Sequence, residues 1–129
     1  MISLPRMPES AEAFTVLALH VALEKTVLWM APGERTLEAN HANLAALCAG
    51  GTGTDRILYY PAWESLPNPA GTEDLEVCGD RLKVSLRLLD GKIPFVVTTC
   101  VNAVMQQTIC PDALEVCCRR LNVGADHEP

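Results

Sequence analysis

The sequence predicts a three-layer α/β sandwich, a mainly parallel sheet of about four or five strands with helices on both faces. Three observations carry that expectation. Apolar runs of strand length alternate with segments of helical periodicity along the chain. A hydrophobic fraction of 49% and a mean hydropathy of +0.15 suit a sheet covered on both sides. The run Ile57-Leu-Tyr-Tyr60 passes straight into Pro61-Ala-Trp-Glu-Ser-Leu-Pro67, a proline-bracketed turn where a hairpin would carry glycine. With 129 residues the chain fits one domain, over 1–123, followed by a frayed tail over 124–129.

Each element has its own signal. Residues 2–4 suit a short first strand, stopped by Pro5 and Pro8. A helix of about sixteen residues follows, opened by Glu9 or Ser10. Phe14, Leu17 and Val21, with Ala13, Val16 and Leu23, give it a wide apolar stripe for the sheet. A second strand covers 26–30 and is closed by Ala31, Pro32 and Gly33. The second helix spans 34–48, with Leu37, His41, Leu44 and Cys48 as its seam and Ala42, Ala45 and Ala46 beside them. Gly50, Gly51 and Gly53 end it by entering positive φ without strain. The third strand runs over 56–60 and a loop over 61–71.

The third helix covers 72–90, with Thr72 as N-cap and Glu73, Asp74 and Glu76 in its first turn, where the helix dipole favours anions. Leu75, Cys78, Leu82, Leu86 and Leu89 form its seam, and Asp90 and Gly91 close it. A fourth strand over 95–99 leads into a short helix over 101–107. The segment 114–123 fits a strand or a helix, with strand preferred.

Four tracts together resemble a known family. They are Tyr60-Pro-Ala-Trp-Glu-Ser-Leu-Pro67, Gly79-Asp-Arg-Leu82, Val96-Val-Thr-Thr99 and Val101-Asn-Ala-Val-Met-Gln106. In this order they resemble the N-terminal UvrB-like module of the bacterial transcription-repair coupling factor (Mfd), itself similar to the first domain of the excision-repair protein UvrB. The resemblance covers most of the chain and implies a degenerate RecA-like, P-loop-derived fold. It implies a non-catalytic structural and interaction module in transcription-coupled nucleotide excision repair, with the motor in other domains of the parent protein. In that family UvrA is recruited mainly through a second domain, inserted after the position of Cys117-Cys-Arg-Arg-Leu-Asn-Val123. The present chain is therefore expected to bind UvrA weakly or not at all.

A working RecA-like fold would carry a glycine-rich phosphate loop between its first strand and first helix. The corresponding residues here are Leu4-Pro-Arg-Met-Pro-Glu-Ser-Ala-Glu-Ala13, without glycine or lysine, and Glu9 and Glu12 repel a triphosphate. No nucleotide or other cofactor is expected. Gly50-Gly-Thr-Gly-Thr54 follows a helix and precedes a strand, the reverse of a phosphate loop, and serves as a connector.

No catalytic residue and no metal ligand is expected. His20 and His41 lie on apolar helix faces without a ligand-spaced neighbour and suit packed or hydrogen-bonded core positions. The acid pairs Glu73/Asp74 and Asp112/Glu115 lack a neighbouring base or nucleophile. Of the cysteines, Cys48, Cys78, Cys100, Cys110, Cys117 and Cys118, none forms a C-x-x-C pair, and all are expected as buried reduced thiols. Trp63 and Glu64 have two readings: they cap the core and fix the loop, the preferred one, or they are the candidate partner contacts, because open α/β sheets place ligands beyond the strand ends. Thr98, Thr99 and Asn102 stand where related helicase folds face nucleic acid, a role the lost nucleotide site removes.

A net charge of −6 and a pI near 4.9 oppose direct nucleic-acid binding. No apolar run reaches the ~20 residues of a membrane helix, and Glu9 and Glu12 precede the longest one where a signal peptide needs positive charge. A cytoplasmic location is expected. The alternatives are a fragment of a UvrB-like repair protein, an unrelated small α/β enzyme, and a standalone module that dimerises through exposed apolar surface.

Overall fold

The computed structural model describes residues 7–49, 54–63 and 75–118. Along the chain come α1 (Glu9–Leu23), β1 (Val27–Ala31), α2 (Glu34–Cys48), a 3-10 turn (Thr54–Arg56), β2 (Ile57–Tyr60) and α3 (Leu75–Asp90). Then follow β3 (Val96–Cys100), α4 (Val101–Met105) and α5 (Pro111–Cys117). The expected first strand over 2–4, the glycines at 50, 51 and 53, Glu64, the Thr72 cap with Glu73 and Asp74, and the tail over 124–129 lie outside the described residues.

Among the described residues the sheet has three strands, all parallel, in the order β1-β3-β2. Val96 of β3 stands level with Val27 of β1 and with Ile57 of β2. β3 is thus the centre, and all five of its residues are buried. Their side chains alternate as a strand requires. Val96 packs with Ala13 of α1 and Leu44 of α2, and Cys100 with Leu37 of α2. Val97 packs on the opposite face with Val84 of α3, beside Leu58 and Phe95. Two threonines are tolerated in this strand because their hydroxyls find acceptors on β2. Thr98 donates to the Leu58 carbonyl at 3.2 Å and Thr99 to the Tyr60 carbonyl at 3.1 Å. Facing inward, neither threonine is presented to a nucleic acid, whereas Asn102 is exposed.

Helix α1 is rotated relative to the stripe read from the sequence. Its inward face is Ala13, Val16, Leu17 and His20, whereas Phe14 and Val21 are 65% and 68% exposed and Leu23 also faces out. Both stripes have helical spacing; the inward one includes a histidine, which carries no weight in an apolar count. His20 is satisfied there by a 2.8 Å bond from its Nδ1 to the Lys25 carbonyl. Glu24 closes the helix in the left-handed region at φ 51°, a place glycine usually takes, with its amide bonded to the His20 carbonyl at 3.0 Å.

Helix α2 matches its expected span and buries Leu37 and Leu44 together with Asn40, a residue the seam had omitted. Helix α3 departs further. Its buried residues are Arg81 and Val84, and Leu82, Leu86, Leu89 and especially Leu75 stay exposed. The expected leucine seam therefore does not face the sheet. Leu88 and Leu89 instead border an apolar cleft of about 550 Å³ over the outer face of β1, with Leu28, Val97, Ile109 and Leu114.

Residues 114–117 are helical where the sequence prefers a strand. Pro111 stands in the first turn with its φ preset for a helix, Asp112 beside it complements the dipole, and the Leu114 amide bonds to the Cys110 carbonyl at 3.0 Å. Residues 119–123 lie outside the described set. The cysteines also divide differently from expectation. Cys100 is buried, Cys48 and Cys78 are half-buried, and Cys110, Cys117 and Cys118 are exposed because α5 is short and turns one residue inward. No helix among the described residues is long and apolar enough to cross a membrane.

The helical assignment of α5 has a direct test. Leu114 is 3% exposed and Val116 86%, a difference that a strand with period two could not produce. Leu114→Ala should lower urea stability by about 2–4 kcal/mol and Val116→Ala by less than about 0.5 kcal/mol. Equal losses at both positions would restore the strand.

Candidate functional site

The ends of the strands, where an open parallel sheet usually leaves a ligand crevice, are filled by side chains. Ala31, Ala62, Cys100 and Ala103 are buried together with Leu37, so the small residues close the space between β1, β3, α2 and α4. Beside them lies Arg81, only 5% exposed. Its guanidinium donates from Nη1 to the Pro61 carbonyl at 2.8 Å, and sits 3.4–3.5 Å from the Ala103 and Gln107 carbonyls and the Gln106 side-chain oxygen. The first contact is a strong hydrogen bond; the longer three are chiefly electrostatic. Its carbon lies 4.3 Å from the centre of the Tyr60 ring and 5.2 Å from that of Trp63, so two π-faces share the charge.

Gln106 completes the arrangement. Its Oε1 accepts from the Trp63 amide at 2.7 Å and its Nε2 donates to the Trp63 carbonyl at 3.1 Å. One side chain thus satisfies a residue's backbone donor and acceptor beyond the end of β2, as a neighbouring strand would. Trp63 is half-buried, held through its backbone by Gln106 and through its ring by Arg81. Of the two candidate contacts, Trp63 belongs to this cluster and Glu64 lies outside the described residues.

A second polar group lies beside β2, an outer strand of the sheet among the described residues. His41 of α2 has Nδ1 3.0 Å from the Thr98 hydroxyl. That hydroxyl spends its proton on the Leu58 carbonyl, so Nδ1 is the donor and the neutral ring keeps its lone pair on Nε2. The ring packs on Tyr59 at 5.0 Å. His41 and Tyr59 line a cleft of about 310 Å³ with Glu38, Asp80 and Lys83. Burial pushes the His41 pKa below its ordinary 6.5, with Asp80 opposing the shift and Lys83 adding to it. Burial likewise raises the Tyr59 phenol, and Glu38 and Glu34 raise it further. At neutral pH the pair is an uncharged acceptor beside an uncharged donor.

His20 and His41 are both hydrogen-bonded helix residues, as their positions in the sequence implied. They are not brought together. Arg81 and Gln106 are the site residues that sequence reasoning missed. Arg81 sits in a helical register with Cys78, Val84 and Ser85, a signal hidden by the habit of assigning arginine to solvent. Among the described residues no group of three His, Cys, Asp or Glu side chains is placed to hold a metal ion. Comparison of the chain with protein-family models, with curated proteins and with solved structures finds no match.

Two outcomes follow from this geometry. Arg81→Ala should destabilise the fold by about 3 kcal/mol, since it removes a charged hydrogen bond and leaves buried carbonyls unpaired, and Arg81→Lys should recover less than half. Urea titration distinguishes this from a solvated arginine, for which both changes fall within about 0.5 kcal/mol. For His41, the depressed pKa means that the unfolded chain takes up the proton first as pH falls below 6.5. Stability should therefore decline with acidity from that pH downward, and His41→Gln should flatten this part of the profile.

Proposed function

We propose that the chain is a non-catalytic structural and interaction module, the UvrB-like part of a transcription-repair coupling factor with a degenerate RecA-like fold. The observation that carries this reading is the convergence of the resembling tracts. Tyr60 and Trp63, Arg81, Thr99 and Gln106 come from the four separate tracts and meet at one place beyond the strand ends. Residues that mark the tracts thus join elements to each other, which suits architecture better than turnover.

Two further observations support it. The start of α1 follows Pro8 with no side-chain cap, and its first turn carries Glu12 where a phosphate would need amides free of negative charge. The crevice beyond the strands is occupied by the small-residue cluster and Arg81. In this reading the partners are the other domains of the parent protein, and Trp63 with Glu64 is the turn through which they are met. Nucleic acid is not contacted directly, and the cytoplasm is the compartment. A standalone dimerising module is the second reading, favoured by the outward Phe14, Leu19, Val21 and Leu23 of α1.

The experiments separate these cases. Isothermal titration with ATP and Mg²⁺ should give no saturable heat at millimolar nucleotide, and immobilised UvrA should not retain the chain. Micromolar affinity for either ligand sinks the proposal. Light scattering should report a monomer; a dimer dispersed by Phe14→Glu and Val21→Glu transfers support to the second reading.

A further inference from the structure

The opposite end of the sheet, where the strands begin, carries a cavity that the proposed function does not use. It has a volume of about 490 Å³. Leu17, Val21, Ile57 and Val96 supply apolar wall, and His20, Glu24, Cys48 and Arg56 supply the polar groups. This is the composition expected of a small-molecule site, apolar lining with a few convergent polar atoms.

His20 is the informative member. The residue is 6% exposed, and its Nδ1 faces a carbonyl, which can only accept, so Nδ1 carries the proton. In the neutral ring Nε2 therefore holds a lone pair. It has no hydrogen-bond partner among the described residues, yet no enclosed side-chain nitrogen or oxygen is left unsatisfied. Nε2 is therefore not enclosed, and His20 is one of the residues that line the cavity. Negative and positive groups both border the cavity. α1 ends at Leu23 and α2 at Cys48, so two helix C-termini meet the rim, and Glu24 adds a full charge. Arg56, an exposed cation ending the 3-10 turn, stands on the same rim.

We propose that this cavity binds a small zwitterion with an apolar side chain, an aliphatic or aromatic α-amino acid. The ammonium group donates to His20 Nε2 and Glu24, the carboxylate pairs with Arg56, and the side chain lies along Leu17, Ile57 and Val96. Cys48 and His20 are not within hydrogen-bonding distance of each other, so the arrangement binds without activating the thiol.

Cys48 also reports occupancy. Alkylation of the whole chain by N-ethylmaleimide, read cysteine by cysteine by mass spectrometry, compares Cys48 with the exposed Cys110, Cys117 and Cys118. For a ligand of this size with a Kd of about 1 mM, L-leucine or L-phenylalanine at about 10 mM should slow Cys48 about ten-fold. The other three should keep their rates. Isovalerate, without the ammonium, and isoamylamine, without the carboxylate, should protect far less, and Arg56→Gln should abolish protection by the amino acids while leaving the folded spectrum intact. Absence of protection by both amino acids overturns the proposal. So does equal protection by the two truncated analogues, or protection that survives Arg56→Gln.

Discussion

A guanidinium withdrawn from water must find oxygens or π-faces, and Arg81 finds both at the junction of four segments. Its described partners are neutral, so its charge is held by dipoles and rings. Those groups come from the end of β2, from α4 and from the residues just after it. Withdrawing any one of them leaves the charge under-solvated, which couples the position of α3 to that of the strand ends. Gln106 extends the coupling to Trp63, and the two threonines of β3 tie the central strand to β2 by side chains as well as by the backbone ladder. The sheet edge at β2 is thereby fastened from three directions.

The two helix-borne histidines illustrate one chemical device used at different places. Each gives its Nδ1 proton to an oxygen of the fold and so leaves Nε2 as the unprotonated nitrogen of the neutral ring. At His41 the oxygen is a threonine hydroxyl already committed to β2, and the ring is stacked against Tyr59. At His20 it is the carbonyl of the turn that leads into β1. The first arrangement stands beside a phenol; the second stands at the cavity where the strands begin.

Much of the architecture was legible in the chain. β1, β2 and β3 fall within one residue of the expected strands, and α2 matches its expected limits, because β-branched runs and glycine or proline stops report local geometry directly. Orientation was harder to read. In α1 two stripes of equal spacing competed, and the one containing His20 won because a backbone carbonyl satisfies it. In α3 five apolar residues outvoted Arg81, since a count of hydrophobicity cannot foresee a cage of carbonyls and rings formed by segments distant in sequence. Over 114–117 the strand preference failed against Pro111, whose fixed φ starts α5. Trp63 was visible as a turn aromatic, but its partners Arg81 and Gln106 could not be inferred without the fold.

The order of the strands has a consequence for biosynthesis. β1 and β2 emerge from the ribosome first, and among the described residues each is hydrogen-bonded not to the other but to β3, which is translated after both. Until Val96 to Cys100 leave the exit tunnel, two unpaired strands and the apolar faces of three helices wait without a template. The sheet then closes in a single late, long-range event, the kind of step that raises the folding barrier and lengthens dependence on chaperones.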